Sequence, residues 1–240
     1  MNAQYRSKIR HFAAMDWLLD DSIGGNATEI YVSGDNLRHA MALRLRSGDV
    51  IGILNGAGTR YECRCVEINR NEAKLVVQSF DFVQQDKQIA VCMGILESRE
   101  RLEYAVEKVT ELGATHIVLI ASKYSQPSRV RLERLDSKIR AAVMQSGRAW
   151  LPFVSGPLEF AKALELVQGY HVVIGDQFGE VPSRLLFPAA LFIGPEGGFD
   201  ESEKKLLDSV GAIRWRVGRY RLRTETAAVV LTAAAVQSMD

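Results

Sequence analysis

From about residue 88 the chain alternates short apolar runs with amphipathic stretches, and nothing else in it constrains the fold as tightly. Ile89–Ile95 carries no charge and suits a strand buried on both faces. Arg99–Leu112 follows with Leu102, Ala105, Val106, Val109 and Leu112 spaced for one helix face. The same reading predicts strands over Ile117–Ala121, His171–Gly175, Ala190–Ile193 and Ile213–Val217, and helices over Leu132–Gly147, Leu158–Val167, Glu201–Val210 and Thr224–Met239. Asp200 is placed to cap the helix at Glu201, with Glu203 reaching back to close a capping box. Strands that alternate with helices in this way predict a mostly parallel sheet covered on both faces, an α/β fold.

Residues 29–80 read differently. Glu29–Val32, Asp49–Leu54, Tyr61–Ile68 and Ala73–Val77 are short strand candidates. They are separated by turns at Ser47–Asp49, Asn55–Gly58 and Asn69–Asn71, with a helical stretch at Asn36–Leu45. This predicts a small, barrel-like β domain over residues 1–85, a polar linker beginning in Asp81–Lys87, and a second domain over 86–240.

Composition narrows the classes. The 240 residues are 47% hydrophobic and 25% charged, as in soluble globular proteins, and no apolar run is long enough to cross a bilayer. Met1–Arg6 lacks the apolar stretch of a signal peptide. Three cysteines argue against a disulfide framework, so a cytoplasmic protein with reduced thiols is expected. Cys63 and Cys65 share one strand face, no His/Cys pair has zinc spacing, and no metal is expected. The net charge of +1 does not announce a nucleic-acid partner, so any such surface must come from local clusters. Three clusters stand out: Arg6, Lys8, Arg10 and His11; Arg38, His39, Arg44 and Arg46; and the basic run from Arg129 to Arg148. Arg6, Arg10, Arg38, Arg44 and Arg148 are the candidate phosphate contacts, each weighed against a solvated surface charge.

Two segments point to a ligand. Gly194-Pro195-Glu196-Gly197-Gly198 follows an apolar strand and precedes a capped helix, where backbone N–H groups can approach a ligand closely. It is neither a dinucleotide fingerprint nor a P-loop. The second segment, Leu222-Arg223-Thr224-Glu225-Thr226-Ala227, opens the last helix, with Val217-Gly218 just before it. Thr224 or Thr226 can cap that helix, and Glu225 suits its positive end. Ile174-Gly175-Asp176 ends a third strand.

Taken together, these segments resemble the cofactor loops of the SPOUT methyltransferases, and the wider match is to the RsmE family. Glu107–Gly113 is similar to that family's "T/I-E-L-G" helix end, Gln145–Arg148 to its "E-Q-(S/C)-x-R" segment, and Leu54–Gly58 with Tyr61 to a turn in its PUA-like barrel. The resemblance covers about residues 30–240. It departs at Tyr220, where the family commonly has Arg, and at Leu37-Arg38, where a His-His pair is usual.

The resemblance implies a PUA-like β-barrel followed by a SPOUT-type, trefoil-knotted, mostly parallel α/β domain, in a homodimer. It implies S-adenosyl-L-methionine as cofactor, and methylation of N3 of a uridine in 16S ribosomal RNA or the assembled small subunit. The adenosine part would lie against Ile174, Gly175 and Asp176, against Ile193, Gly194, Pro195, Glu196, Gly197 and Gly198, and against Val217, Gly218 and Leu222. The methionine end would point toward Arg223–Thr226, with Thr226 among the cofactor contacts. Arg223, Glu225 and Thr224 are the catalytic candidates: Arg223 to stabilise an N3 anion, and Glu225 as a base or simply as part of the helix start. Two other readings stay open, a SPOUT methyltransferase with another RNA target and a non-catalytic RNA-binding relative. The final helix, Ala227–Val236, suits either a partner subunit or the core of its own chain.

Overall fold

The computed structural model describes residues 15–85, 87–125 and 130–238. They divide into two compact units. The first holds residues up to 85 together with 140–151, and the second holds 86–139 together with 152–240. Residues 140–151, which the sequence reading left in the second domain, group with the first unit through backbone and side-chain bonds. Gly58 N–H donates to Ala149 O and Leu151 N–H to Gly56 O, each at 2.9 Å. Trp150 Nε1 donates to Val83 O at 2.8 Å, and Arg140 pairs with Asp21 at 2.6 Å.

The first unit is a curled, mainly antiparallel sheet. Its strands are β1 (Trp17–Leu19), β2 (Glu29–Val32), β3 (Val50–Leu54), β4 (Thr59–Ile68) and β5 (Ala73–Phe82), in the order β1-β3-β4-β5-β2. Helix α1 (Gly34–Ala42) lies between β2 and β3 in sequence. Burial alternates along β2 and the first half of β4, as expected of a sheet with one buried face. Cys63 and Cys65 share that face as their spacing predicts, and both are free thiols. Burial pushes the Cys63 thiol up to about 12. β5 runs five residues further than the pattern predicts, because Ser79–Phe82 pairs with Thr59–Glu62 of a longer β4, with Gln78 at a register shift. Arg60 and Asp81 close that extension with a 2.9 Å ion pair.

The second unit is built on a parallel sheet of six strands. These are β6 (Ile89–Gly94), β7 (His116–Ala121), β8 (Phe153–Glu159), β9 (His171–Glu180), β10 (Ala189–Ile193) and β11 (Ile213–Trp215). The order is β11-β9-β10-β6-β7-β8, with every pairing parallel. Its helices are α2 (Arg99–Glu111), α3 (Leu132–Ser146, whose residues from 140 on count with the first unit), α4 (Phe160–Leu166), α5 (Glu201–Ser209) and α6 (Thr224–Gln237). Central β6 and β10 are buried at every residue, which explains their unbroken apolar runs. Helix α2 buries Leu102, Ala105, Val106 and Val109, the predicted face.

Four details depart from the sequence reading. β1 is three residues long and gives no periodic signal. Phe153–Glu159 is a strand where a loop and the start of a helix were expected. Its Gly156-Pro157 reads as a breaker, yet β8 is an edge strand, where a missing N–H is tolerated, and the register shifts there between Val118 and Ile120. β9 does not end at Gly175. It stops pairing with β10 at Ile174 and runs on to Glu180, which pairs with Trp215. The last helix begins at Thr224 with Arg223 as N-cap and no side-chain cap, so neither Thr224 nor Thr226 caps it. Helix α6 packs on α2 and against β6, β9 and β10 and buries Ala228, Leu231, Thr232 and Ala235 there, while Ala227, Ala233 and Ala234 stay half-buried.

Candidate active site

The middle of β9, from Ile174 to Phe178, and the carboxyl ends of β10 and β11 converge on one cleft of about 770 Å³, within the roughly 300–1,000 Å³ of small-molecule sites. All three segments picked out from the sequence line it. These are Ile174–Asp176, the run from Ile193 through Glu196 with Gly198, and Val217, Gly218 and Leu222; Arg223 and Thr224 lie at the start of α6. Gly197, Glu225 and Thr226 are not among the lining residues. Thr226 is exposed, while Glu225 is buried in the first turn of α6.

The glycine loop is closed on itself. Gly198 N–H donates to Pro195 O at 2.8 Å. A Cβ on Gly194 would stand 2.9 Å from Gly198 Cα, closer than real side chains come to backbone. Gly198 has a φ of +76° with open space around it, so conformation alone holds that position to glycine. The loop then enters α5 through the predicted capping box: Asp200 accepts from Glu203 N–H at 2.8 Å, and Glu203 accepts from Asp200 N–H at 2.9 Å. The Glu203 N–H donation, followed by that of the Ser202 hydroxyl, holds the Asp200 carboxyl below its usual range.

Glu203 does more than cap. It is 5% exposed and also accepts from Ser122 Oγ at 2.8 Å and from Lys123 N–H at 2.8 Å. One buried carboxylate thus fastens the loop after β7 to the start of α5.

Charge around the cleft is partly committed. Asp176 accepts from Phe178 N–H and from Arg214, each at 2.9 Å. Burial pushes its carboxyl up, but these bonds outweigh burial and hold it below the ordinary value. Arg214 also binds Asp208 at 2.6 Å. Arg221 donates to Glu196 O at 3.2 Å, tying the segment before α6 to the glycine loop. Arg101, which the motifs did not single out, lies between two carboxylates, 3.9 Å from Glu196 and 3.8 Å from Glu225. Its only sequence signal is a cation in the first turn of the helix after β6. Tyr220 is 74% exposed at the cleft, and Arg223 is exposed beside it.

The basic candidates of the first unit are spread out. Arg38 pairs with Asp35. Arg44 is exposed with a φ of +61°, and Arg148 is half-buried. Arg6 and Arg10 lie outside the described residues. Among the described residues, no group of His, Cys, Asp and Glu has the arrangement of a metal site, and no helix is long and apolar enough to cross a membrane.

Comparison with known proteins agrees with this geometry. Residues 83–236 match the RNA methyltransferase domain family, and residues 32–78 match the RNA methyltransferase PUA domain. A ribosomal RNA small subunit methyltransferase E from Synechocystis sp. is 29% identical over 204 residues, covering 80% of this chain and 67% of the relative. One of the same name from Mycobacterium bovis is 28% identical over 233 residues, covering 89% and 88%. In fold, the chain is similar to the Neisseria gonorrhoeae ribosomal RNA small subunit methyltransferase E crystallised with S-adenosyl methionine. The TM-score is 0.83 at 23% identity, over 92% of this chain and 96% of that one. The family resemblance drawn from the cofactor-loop motifs is thereby borne out, and the chain belongs to the RNA methyltransferase domain family.

Proposed function

We propose that this protein transfers a methyl group from S-adenosyl-L-methionine to N3 of a uridine in the 16S ribosomal RNA of the small subunit. The observation that carries the reading is the convergence of one β9 segment and two strand-end loops on one cleft, with the glycine loop folded tightly on itself there. The residues present fit the cofactor. Ile174, Ile193, Pro195 and Leu222 give apolar surface for an adenine, and the 193–198 and 217–222 backbone offers donors and acceptors to its edges. Arg223 and Arg101 bring cations for a carboxylate.

When bound, the cofactor supplies an electrophilic methyl carbon whose bond to sulfur breaks, the electron pair staying on sulfur, as the bond to nitrogen forms. The chain's task is to present N3 in line and to favour its deprotonated form, the N3 proton leaving to water. Holding the reacting atoms in place supplies several kcal/mol by itself. Arg223, exposed at the mouth of the cleft, is the cation that stabilises charge developing on the uracil ring. Of the two roles open to Glu225, its geometry favours the structural one: it is buried at a helix N-terminus, faces Arg101 at 3.8 Å and does not line the cleft. Thr224 lines it and sets where α6 begins.

This reading includes a SPOUT-type trefoil knot made by the cofactor loops, a homodimer, and a PUA-like barrel over residues 1–85 that contacts RNA through Arg38, Arg44, Arg148 and the N-terminal Arg6 and Arg10. The similarity of named relatives supports it, as does the match of the first unit to the RNA methyltransferase PUA domain. The test is transfer of labelled methyl to small subunits from a strain lacking the modification, with the product nucleoside identified by mass. N3-methyluridine at one position supports the reading; cofactor binding with no label in either subunits or naked 16S RNA contradicts it.

A further inference from the structure

A second cavity, about 450 Å³, opens on the other side of the glycine loop. Glu97, Lys123, Tyr124, Ser125, Glu196 and Gly197 line it, and Glu196 belongs to both cavities. Glu196 and Gly197 belong to the glycine motif; Glu97 and Lys123–Ser125 belong to none.

Tyr124 is the notable group. It is 51% exposed, an aromatic ring presented to solvent, yet the loop that carries it is firmly held. Ser122 Oγ and Lys123 N–H bind buried Glu203. Ser122 N–H donates to Ser125 Oγ, and Ser125 N–H donates back to Ser122 O at 2.9 Å. A Cβ on Gly197 would stand 2.7 Å from Tyr124 Cβ, so the glycine loop lies directly against Tyr124. A half-exposed aromatic on so fixed a loop is preorganised to receive a flat partner.

We propose that this cavity receives the extruded target base, with Tyr124 as its stacking face. A base must leave its stack to be modified, and aromatic side chains are the usual surface for one that has done so. Glu196 lines both this cavity and the cofactor cleft, so a base stacked on Tyr124 lies beside the methyl donor. Lys123 is exposed at the rim, where a cation meets the flanking phosphate. Tyr124 is thus a positioning residue for the reaction proposed above, and the inference rests on that reading.

The test compares wild type, Tyr124→Ala and Tyr124→Phe in the full chain, by calorimetric cofactor affinity and by single-turnover methyl transfer at saturating small subunits. Stacking of one base predicts a loss of about 10–100-fold in the single-turnover rate for Tyr124→Ala. Cofactor affinity should stay within about twofold, subunit affinity should change little because phosphate contacts dominate it, and Tyr124→Phe should recover most of the rate. A Tyr124→Ala protein that transfers methyl at the wild-type rate would overturn the assignment, as would a Phe variant as slow as the Ala one. Either result leaves the methyltransferase reading standing. A wild-type protein that binds cofactor and methylates no ribosomal RNA removes both.

Discussion

The two units use opposite means. In the parallel sheet the central strands are buried throughout, so side chains build the core and the strand ends are left to the backbone. The cleft is accordingly lined by loops whose close approach depends on glycine. In the curled sheet, burial alternates and the outward side chains include pairs already made, Lys74 with Glu29 and Arg60 with Asp81, as are Arg38 and Asp35 on α1. The difference teaches where each unit is vulnerable. Function in the parallel unit should hinge on single backbone positions and one or two aimed side chains. In the curled unit it should be distributed over many weak contacts.

The largest expected effect is that of Arg223→Ala. Loss of a charge aimed at the reacting ring should lower the single-turnover rate by about 100–1,000-fold, with the unfolding midpoint in urea unchanged. An effect under about tenfold would mean that positioning alone suffices. Gly194→Ala comes next. Its new Cβ meets backbone at 2.9 Å, the loop must open, and a misplacement on that scale costs about 100-fold in rate, together with cofactor affinity in calorimetry. Gly198→Ala is the control that sharpens this comparison. It meets nothing within 4 Å, so it should cost only about 1–2 kcal/mol of stability for its left-handed backbone.

Much of this contrast is legible in the sequence, and the exceptions have physical causes. Gly194–Gly198 is readable because Leu222–Ala227 accompanies it; alone, such a loop is ordinary strand-to-helix punctuation. Asp200 and Glu203 are readable as a capping box. That Glu203 also fastens residues 122–123 is not readable, because contacts across 80 residues leave no local pattern. Arg101 is invisible for the same reason. β8 is hidden by Gly156-Pro157, which an edge strand can tolerate. The grouping of residues 140–151 with the first unit is hidden because helix α3 runs through the division without a break.

Glu203→Ala tests that hidden fastening. Stranding Ser122 Oγ and the N–H groups of Lys123 and Asp200 should cost on the order of 2–3 kcal/mol in urea unfolding, and Tyr124 would lose its fixed position. Asp176 gives a smaller, pH-dependent effect. Its carboxyl is held below the ordinary value of 3.8, so the stabilisation it contributes is present above that pH. It is lost as pH falls below 3.8 and through the lowered folded value. The stability gap between wild type and Asp176→Asn should therefore be flat at neutral pH and close in strong acid. The smallest effects belong to the curled sheet: Arg44→Ala should weaken RNA binding only a few-fold, uniformly across sequences, and reduce the salt slope by about 1. A large, sequence-selective loss there would break the comparison outright.

The most direct test of the central claim is a crystal structure of the protein grown with S-adenosylhomocysteine. The account predicts the adenosyl group against residues 174–176, 193–198 and 217–222, with the amino-acid end toward Arg223. Density for the ligand anywhere else, or a cleft that stays without it at saturating concentration, would contradict the account.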